Sequence, residues 1–376
     1  MSGAVEIVAV NSPAEMDRFI RLPFTLYAND PNWVPPLLLE RQEALSPKKN
    51  PYFQHAEAKF WLARQDGRDV GRISAQIDRL VKDPEVGHFG MIAAEDRPEV
   101  FAALFAAAEA WLRERGKRRV LGPFNLSINE ESGLLVDGFD TPPMMLMGHD
   151  ARYIAGRIEA LGYAKAKDLI AYIQNTDDGL LPERARRFAE QRTPKNMTLR
   201  RLDVKRYREE FDTVTEIFND AWSQNWGFIA FTEAEIAHMA KSLKPLIRPE
   251  YVVLVEADGQ AIAFGIALPN LNEAIRDFNG KLLPFNWLKL LLRLRKPKTA
   301  RVPLMGVRRS WSGGLIGGVV PILIMDALRN ALHRNGVRDV EMSWILEDNR
   351  AMRHMIESLG GRPYKTYRVY EKRLAA

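Results

Sequence analysis

Two arginines and five glycines, four of them in two pairs, crowd the segment MGVRRSWSGGLIGG (305–318), just ahead of a run with helical periodicity. A glycine-rich turn leaves backbone N–H groups uncovered, and a helix that follows it aims the positive end of its dipole at the same place. Arg308 and Arg309 add fixed charge that suits phosphate oxygens. The chemistry implied is capture of a phosphorylated carrier, with Gly313, Gly314, Gly317 and Gly318 as the backbone cradle. Composition narrows the alternatives. The chain has no cysteine, which excludes a thiolate nucleophile, thiolate metal ligands and disulfides. Its six histidines (His55, His88, His149, His238, His333, His354) never fall at metal-ligand spacing, so no metal is expected.

The elements that would position this loop are written twice. With 376 residues, 46% hydrophobic and 27% charged, two domains are the natural expectation. In each half two strand-like runs flank an Asp-Gly pair, Asp66-Gly67 and Asp258-Gly259, which reads as a hairpin. Each hairpin is followed by an amphipathic helix stopped by glycine (99–116 and 322–336), a strand (119–124 and 339–345), a short helix ending in Leu-Gly (151–162 and 350–360) and a last strand (168–173 and 367–370). The fold expected is α/β, a mixed sheet flanked by helices in each of two tandem domains. The boundaries fall at 1–175 and 197–376, with a polar linker over 176–196. The first copy has no glycine loop: Glu95 and Asp96 stand at the equivalent place and would repel an anion. Its domain is expected to have lost carrier binding and to shape the acceptor site.

The loop at 305–318, together with VEMSWILEDN (340–349) and MIESLG (355–360), resembles the acyl-CoA-binding segment of the GNAT acyltransferases. Residues 197–372 carry the resemblance well and residues 60–173 more weakly. LPFTLYANDPNWVPP (22–36), KNPYF (49–53), GPFNLSINE (122–130), GLLVDGF (133–139), FNDAWSQNWG (218–227) and SWILEDN (343–349) are similar to a bacterial subgroup of tandem GNAT proteins that includes the bacterial ceramide synthases. The resemblance implies an acyl-CoA co-substrate, direct aminolysis without a protein nucleophile, and Asn349 as the family's asparagine after its strand. The thioester oxygen would be met by a backbone N–H around Gly306 and Val307. Tyr364 or Tyr367 would protonate the leaving thiolate, and Glu347 or Glu341 would serve as base.

Further polar groups are candidates for contact with the acceptor: Asn125, Asn129 and Glu130; Trp222, Asn225 and Trp226; Asn270 and Asn272. Asparagine both donates and accepts, which suits an amino-alcohol head group, but capping of loops explains it equally well. The insertion KLLPFNWLKLLLRLRKPK (281–298) is expected to form a short basic helix, with Lys289, Arg293 and Lys296 along one stripe and Phe285, Leu288, Leu291 and Leu292 over the rest. From Phe285 to Lys298 it reads as a segment lying in an anionic membrane surface, with Trp287 at head-group depth, and it is too short to span. A core helix with one solvated stripe is the plain alternative. With no secretory signal in the first residues and a net charge of +6, the expectation is a cytoplasmic protein held at the inner face of the membrane. The acceptor expected is a sphingoid-type lipid amine. Leucines threaded among the basic residues argue against nucleic acid, and so against an aminoacyl-tRNA-dependent transferase. A non-enzymatic sensor on the same fold is the remaining alternative.

Overall fold

A computed structural model describes residues 3–177 and 181–375. In chain order its elements are β1 (Glu6–Ala9), α1 (Pro13–Leu26), α2 (Leu38–Ala44), β2 (Ala56–Gln65), β3 (Arg68–Asp78), β4 (Val86–Ala94), α3 (Pro98–Glu114), β5 (Arg119–Gly122), β6 (Leu134–Asp137) and α4 (Ile154–Ala160). There follow β7 (Ala164–Asn175), α5 (Glu183–Arg192), β8 (Met197–Arg201), α6 (Tyr207–Trp222), α7 (Glu233–Leu243), β9 (Val252–Ala257), β10 (Gln260–Pro269) and α8 (Leu271–Ile275). The chain ends with α9 (Asn286–Arg295), β11 (Thr299–Val307), α10 (Gly314–Arg334), β12 (Asp339–Leu346), α11 (Arg350–Ser358) and β13 (Arg362–Arg373).

These elements form two units with the same internal plan. In the first, β1 to β4 run antiparallel and α3 carries the chain over to β5, parallel to β4. In the second, β8 to β11 run antiparallel and α10 carries the chain over to β12, parallel to β11. Both hairpins turn on the Asp-Gly pairs, where Asp66 and Asp258 have φ of 51° and 52° and the glycines 78°. Left-handed backbone at both positions is what a two-residue turn between twisted strands needs. The crossover helices bury one face each. Val100, Leu104, Leu112 and neighbours pack with Ala63, Ile73 and Phe89, while Val320, Ile324, Leu328 and Leu332 pack with Val253, Val255 and Ala263. Helix α10 is long and apolar enough to cross a membrane, but this buried face makes it a core helix.

The structure differs from the sequence reading in two places. The units are not contiguous: the first comprises Met1–Leu169, Ile275–Asn286 and Lys365–Ala376, the second Ile170–Ala274 and Trp287–Tyr364. Each unit thus closes its sheet with the end of the other copy's last strand. β13 pairs antiparallel with β5, Tyr370 opposite Gly122, and β7 lies beside β12. The stretch read as a linker is part of the second unit, where Leu181 and Ala185 join the cluster of Tyr172, Met325 and Leu359. Second, α10 starts at Gly314, eight residues before the expected Ile322, and Pro321 lies inside it. Gly317 and Gly318 are therefore helical. Pro321 lacks the N–H that would have met the Gly317 carbonyl, and the helix continues across that missing bond.

Candidate active site

In the second unit β11 and β12 stay paired only from Thr299↔Asp339 to Val302↔Met342, although β11 continues to Val307 and β12 to Leu346. Beyond that point the strands part. The other edge of β11 remains on β10, with Gly306 opposite Phe264 and the Arg308 amide donating to the Ile262 carbonyl at 2.8 Å. Alternation along an antiparallel pair then turns the Gly306 amide toward β10, and the Met305 and Val307 amides into the parting. Of the two residues expected to meet a thioester oxygen, Val307 has the suitable amide. Gly306 serves another purpose: a Cβ there would lie 2.5 Å from the Trp222 ring, which stacks on Phe218 with centroids 4.7 Å apart.

Beyond the parting stands the N-terminus of α10. Gly313 supplies no capping side chain, the first turn holds no acid, and the first intrahelical bond is Gly317 N–H to the Gly313 carbonyl at 3.2 Å. The amides of Gly314, Leu315 and Ile316 are left for an anion. Gly314 has φ of 61°, and a Cβ on Gly317 would sit 1.9 Å from the Ser312 carbonyl oxygen. Both positions need glycine for the chain to fold over the helix end, whereas Gly313 and Gly318 face open space. The two arginines divide. Arg308 is tied down, its guanidinium donating to the Ala261 carbonyl at 3.0 Å and to Glu216 at 3.3 Å. Arg309 is exposed and its side chain meets no carboxylate among the described residues, although its backbone amide donates to Asp220. Replacing Gly313 and Gly314 together by Asp is expected to weaken CoA binding on the order of a hundredfold, read by calorimetry on the full chain.

Of the four carboxylate and tyrosine candidates, Glu341 and Tyr364 join in one hydrogen-bonded chain and the other two lie apart from it. Glu341 on β12 is fully buried, and the Tyr364 hydroxyl on β13 donates to its Oε2. The Ser343 hydroxyl donates to its Oε1, and Arg301 lies 3.4 Å from the same oxygen. Arg301 also donates through Nε to Ser343 Oγ at 2.7 Å. Register explains the pairing, since Arg301 and Glu341 are direct neighbours across the parallel strands. Neither Arg301 nor Ser343 was singled out from the sequence. Tyr367 sits elsewhere, wholly buried in the first unit opposite Leu135 on β6. Glu347 lies half-buried in the turn after β12, and its carbonyl accepts from Arg353 at 2.8 Å. Asn349 caps α11 by accepting the Met352 amide at 3.2 Å.

The other candidates fall into both units. Asn125, Asn129 and Glu130 belong to the first, and Trp222, Asn225, Trp226, Asn270 and Asn272 to the second. Asn125 is structural. In the first unit β4 and β5 also part, but Phe124 N–H bonds the Phe89 carbonyl at 2.8 Å, and Asn125 Oδ1 takes the Met91 amide at 2.7 Å. The Phe124 carbonyl lies 1.8 Å from where a Cβ of Gly90 would be, so the chain itself closes this parting. Glu95 and Asp96, expected to repel anions, are paired with Arg68 and Arg157. Asn225 is exposed. Asn270 is also used by the fold, donating to Thr299 Oγ1 at 3.0 Å and accepting the Asn272 amide. Helix α9 buries none of its residues; Leu283, Phe285, Trp287, Leu288, Leu291 and Leu292 are all exposed on or beside it, Phe285 at 76%. Arg293 leaves the expected basic stripe and donates to the Ala274 carbonyl at 2.8 Å, while Arg248 holds the Leu294 carbonyl.

No family model matches the chain. It is 54% identical over 376 residues to the bacterial ceramide synthase of Caulobacter vibrioides (strain NA1000 / CB15N), covering 98% of each chain. It is 48% identical over 366 residues to protein YghO of Escherichia coli K12, covering 96% of this chain and 93% of the relative. Among solved structures, a tandem GNAT protein from the clavulanic acid biosynthesis pathway superposes with a TM-score of 0.59 at 14% identity, covering 99% of both chains. A GCN5-related N-acetyltransferase from Sphaerobacter thermophilus superposes with a TM-score of 0.52 at 14% identity, over 98% of this chain and 96% of that one. These two likenesses are of fold, and the sequence relatives set the family. The chain belongs to the bacterial ceramide synthase family of N-acyltransferases and has a tandem GNAT fold.

Proposed function

We propose that this enzyme transfers a long-chain acyl group from acyl-CoA to the primary amine of a sphingoid-type lipid, giving a ceramide-like amide. The observation that carries this reading is the 54% identity, over nearly the full length of both chains, to a ceramide synthase. Acyl-CoA binds the second unit, its pyrophosphate on the α10 N-terminal amides and Arg309. The first unit, whose β4–β5 parting is filled by Phe124 and Asn125, binds none. The thioester carbonyl lies in the parting of β11 and β12, where the Val307 and Met305 amides stabilise the developing oxyanion. The neutral amine forms the C–N bond as the C–S bond breaks. The nitrogen loses one proton to Glu347 and the departing sulfur gains one from Tyr364, which takes its proton back from solvent after the thiol leaves, while Glu341 accepts the Tyr364 hydrogen bond and orients it. Glu347, half-buried in the turn after β12, is the candidate base for the amine. Glu341 has no access to it except through Tyr364.

A lipid acceptor fits the exposed leucines of α9, which dock the enzyme peripherally on an anionic cytoplasmic membrane surface. Replacing Leu288, Leu291 and Leu292 by Ser is expected to lower sedimentation with anionic liposomes on the order of a hundredfold, since each half-inserted leucine contributes about 1 kcal/mol. Thiol release and product mass, measured with palmitoyl-CoA and a sphingoid base, test the reaction. Thiol release with a soluble polyamine or a peptide N-terminus but not with the lipid amine would sink the acceptor assignment.

A further inference from the structure

The first unit holds a set of buried polar groups that the acyl-transfer reading leaves without a role. Tyr27 closes α1 with a side chain only 6% exposed, and its hydroxyl has no hydrogen-bond partner among the described residues. Arg72, on β3, donates from one guanidinium nitrogen to the Phe19 carbonyl at 2.7 Å and lies over the Phe19 ring. Its Nε is buried and unpartnered. Asp150 gives one oxygen to the Leu135 amide at 3.0 Å. Burial pushes its carboxyl up to about 7, against the pull of that amide, and Glu131 adds repulsion.

Tyr27, Arg72 and Asp150 act on one another electrostatically, yet no hydrogen bond joins any two of them. The other charged groups nearby are already committed. Glu131 is held by Arg41 at 3.3 Å and by Asn125 Nδ2 at 2.8 Å, and Asp30 is held by His149 at 3.0 Å. A buried phenol and a buried guanidinium N–H left unsatisfied near a carboxyl that the protein bonds at one oxygen are rare in a folded protein, and such groups ordinarily meet a water or a ligand. The set is also chemically directional. Tyr27 and Arg72 donate toward an oxygen, and Asp150 receives from a nitrogen.

We propose that Tyr27, Arg72 and Asp150 form a binding site for a primary ammonium carried one or two carbons from a hydroxyl or carboxylate oxygen. Its ammonium rests on Asp150 and its oxygen between Tyr27 and Arg72. The amino-alcohol end of a lipid and a free amino acid share this chemistry. The site lies in the first unit, and it stands whether or not a sphingoid lipid is the acceptor of the reaction.

The test is calorimetric titration of the full chain, its Tyr27→Phe variant and its Asp150→Asn variant with 2-amino-1,3-propanediol, L-serine and micellar sphinganine. At least one probe binds the parent chain, and each substitution weakens that binding tenfold or more. The melting temperature does not fall in Tyr27→Phe, because the lost hydroxyl bonds nothing in the protein, and Asn at 150 keeps the acceptor for Leu135. Binding of the diol and sphinganine but not serine identifies a lipid end, and the converse a free amino acid. Failure of all three probes to bind, or equal binding by both variants, overturns the proposal and leaves the cluster to water.

Discussion

Replacing Tyr364 by Phe is expected to lower kcat about 10²–10⁴-fold, the range for loss of a proton donor in the transition state. The affinity for acyl-CoA should stay unchanged, because the α10 N-terminus and Arg309 are untouched. Tyr364 is the tyrosine at issue because its hydroxyl donates to the buried carboxylate of Glu341 in the second unit, where β11 and β12 part. Glu341→Gln should lower kcat as well: a neutral amide no longer holds the phenol as the carboxylate does, and its NH₂ would face one of the two donors, Ser343 or Tyr364. Tyr367→Phe separates this from a general effect of tyrosine loss. Its ring stays in the first unit's core beside Gly133, and loss of its hydroxyl should leave kcat at the parent value. Steady-state kinetics on the three variants, with CoA affinity measured in parallel, decide the matter. A Tyr364→Phe enzyme with parent kcat would remove the tyrosine from the reaction.

Much of this arrangement is legible in residues. Asp-Gly pairs gave the hairpins because only a left-handed turn joins two strands so tightly, and Gly116 and Gly336 gave the helix ends for the same reason. The start of α10 was not legible, because two glycines and a proline argue locally against helix while the core contacts of Val319, Val320 and Ile324 require one. Nor was the exchange of last strands. A strand's sequence states which face is buried, not which neighbour lies at its edge, and β13 pairs with β5, more than two hundred residues away. Asn125 and Asn270 looked like ligand groups because each is polar in apolar surroundings. Each instead satisfies a group of its own unit that the sheet and turns leave open: the Met91 amide for Asn125, the Thr299 hydroxyl for Asn270. Arg301 and Glu341 did leave a signal. Each is a charge at a buried position of a strand between two neighbours, where a charge without a partner is not tolerated.

That pairing sets the largest expected effect on stability. Arg301→Ala should destabilise the second unit by about 3–5 kcal/mol, the usual consequence of removing one partner from a buried ion pair. Glu341 would keep its hydrogen bonds from Ser343 and Tyr364 but lose its counter-charge at a fully buried position. The companion variant Arg301→Met with Glu341→Leu should recover most of that loss, because two apolar side chains of similar volume need no desolvation. It should not recover turnover, since Tyr364 would then have no carboxylate behind it. Urea unfolding followed by circular dichroism gives the first quantity and thiol release the second. Were the double variant both stable and active, the buried pair would be a device of folding alone. Were it unstable, the strands would need the charges for register, which Arg301↔Glu341 fixes at the last but one step before β11 and β12 part. A stable and inactive double variant is the outcome that assigns the pair to the chemistry, with Arg301 acting by positioning Glu341 and Ser343 rather than by touching the substrate.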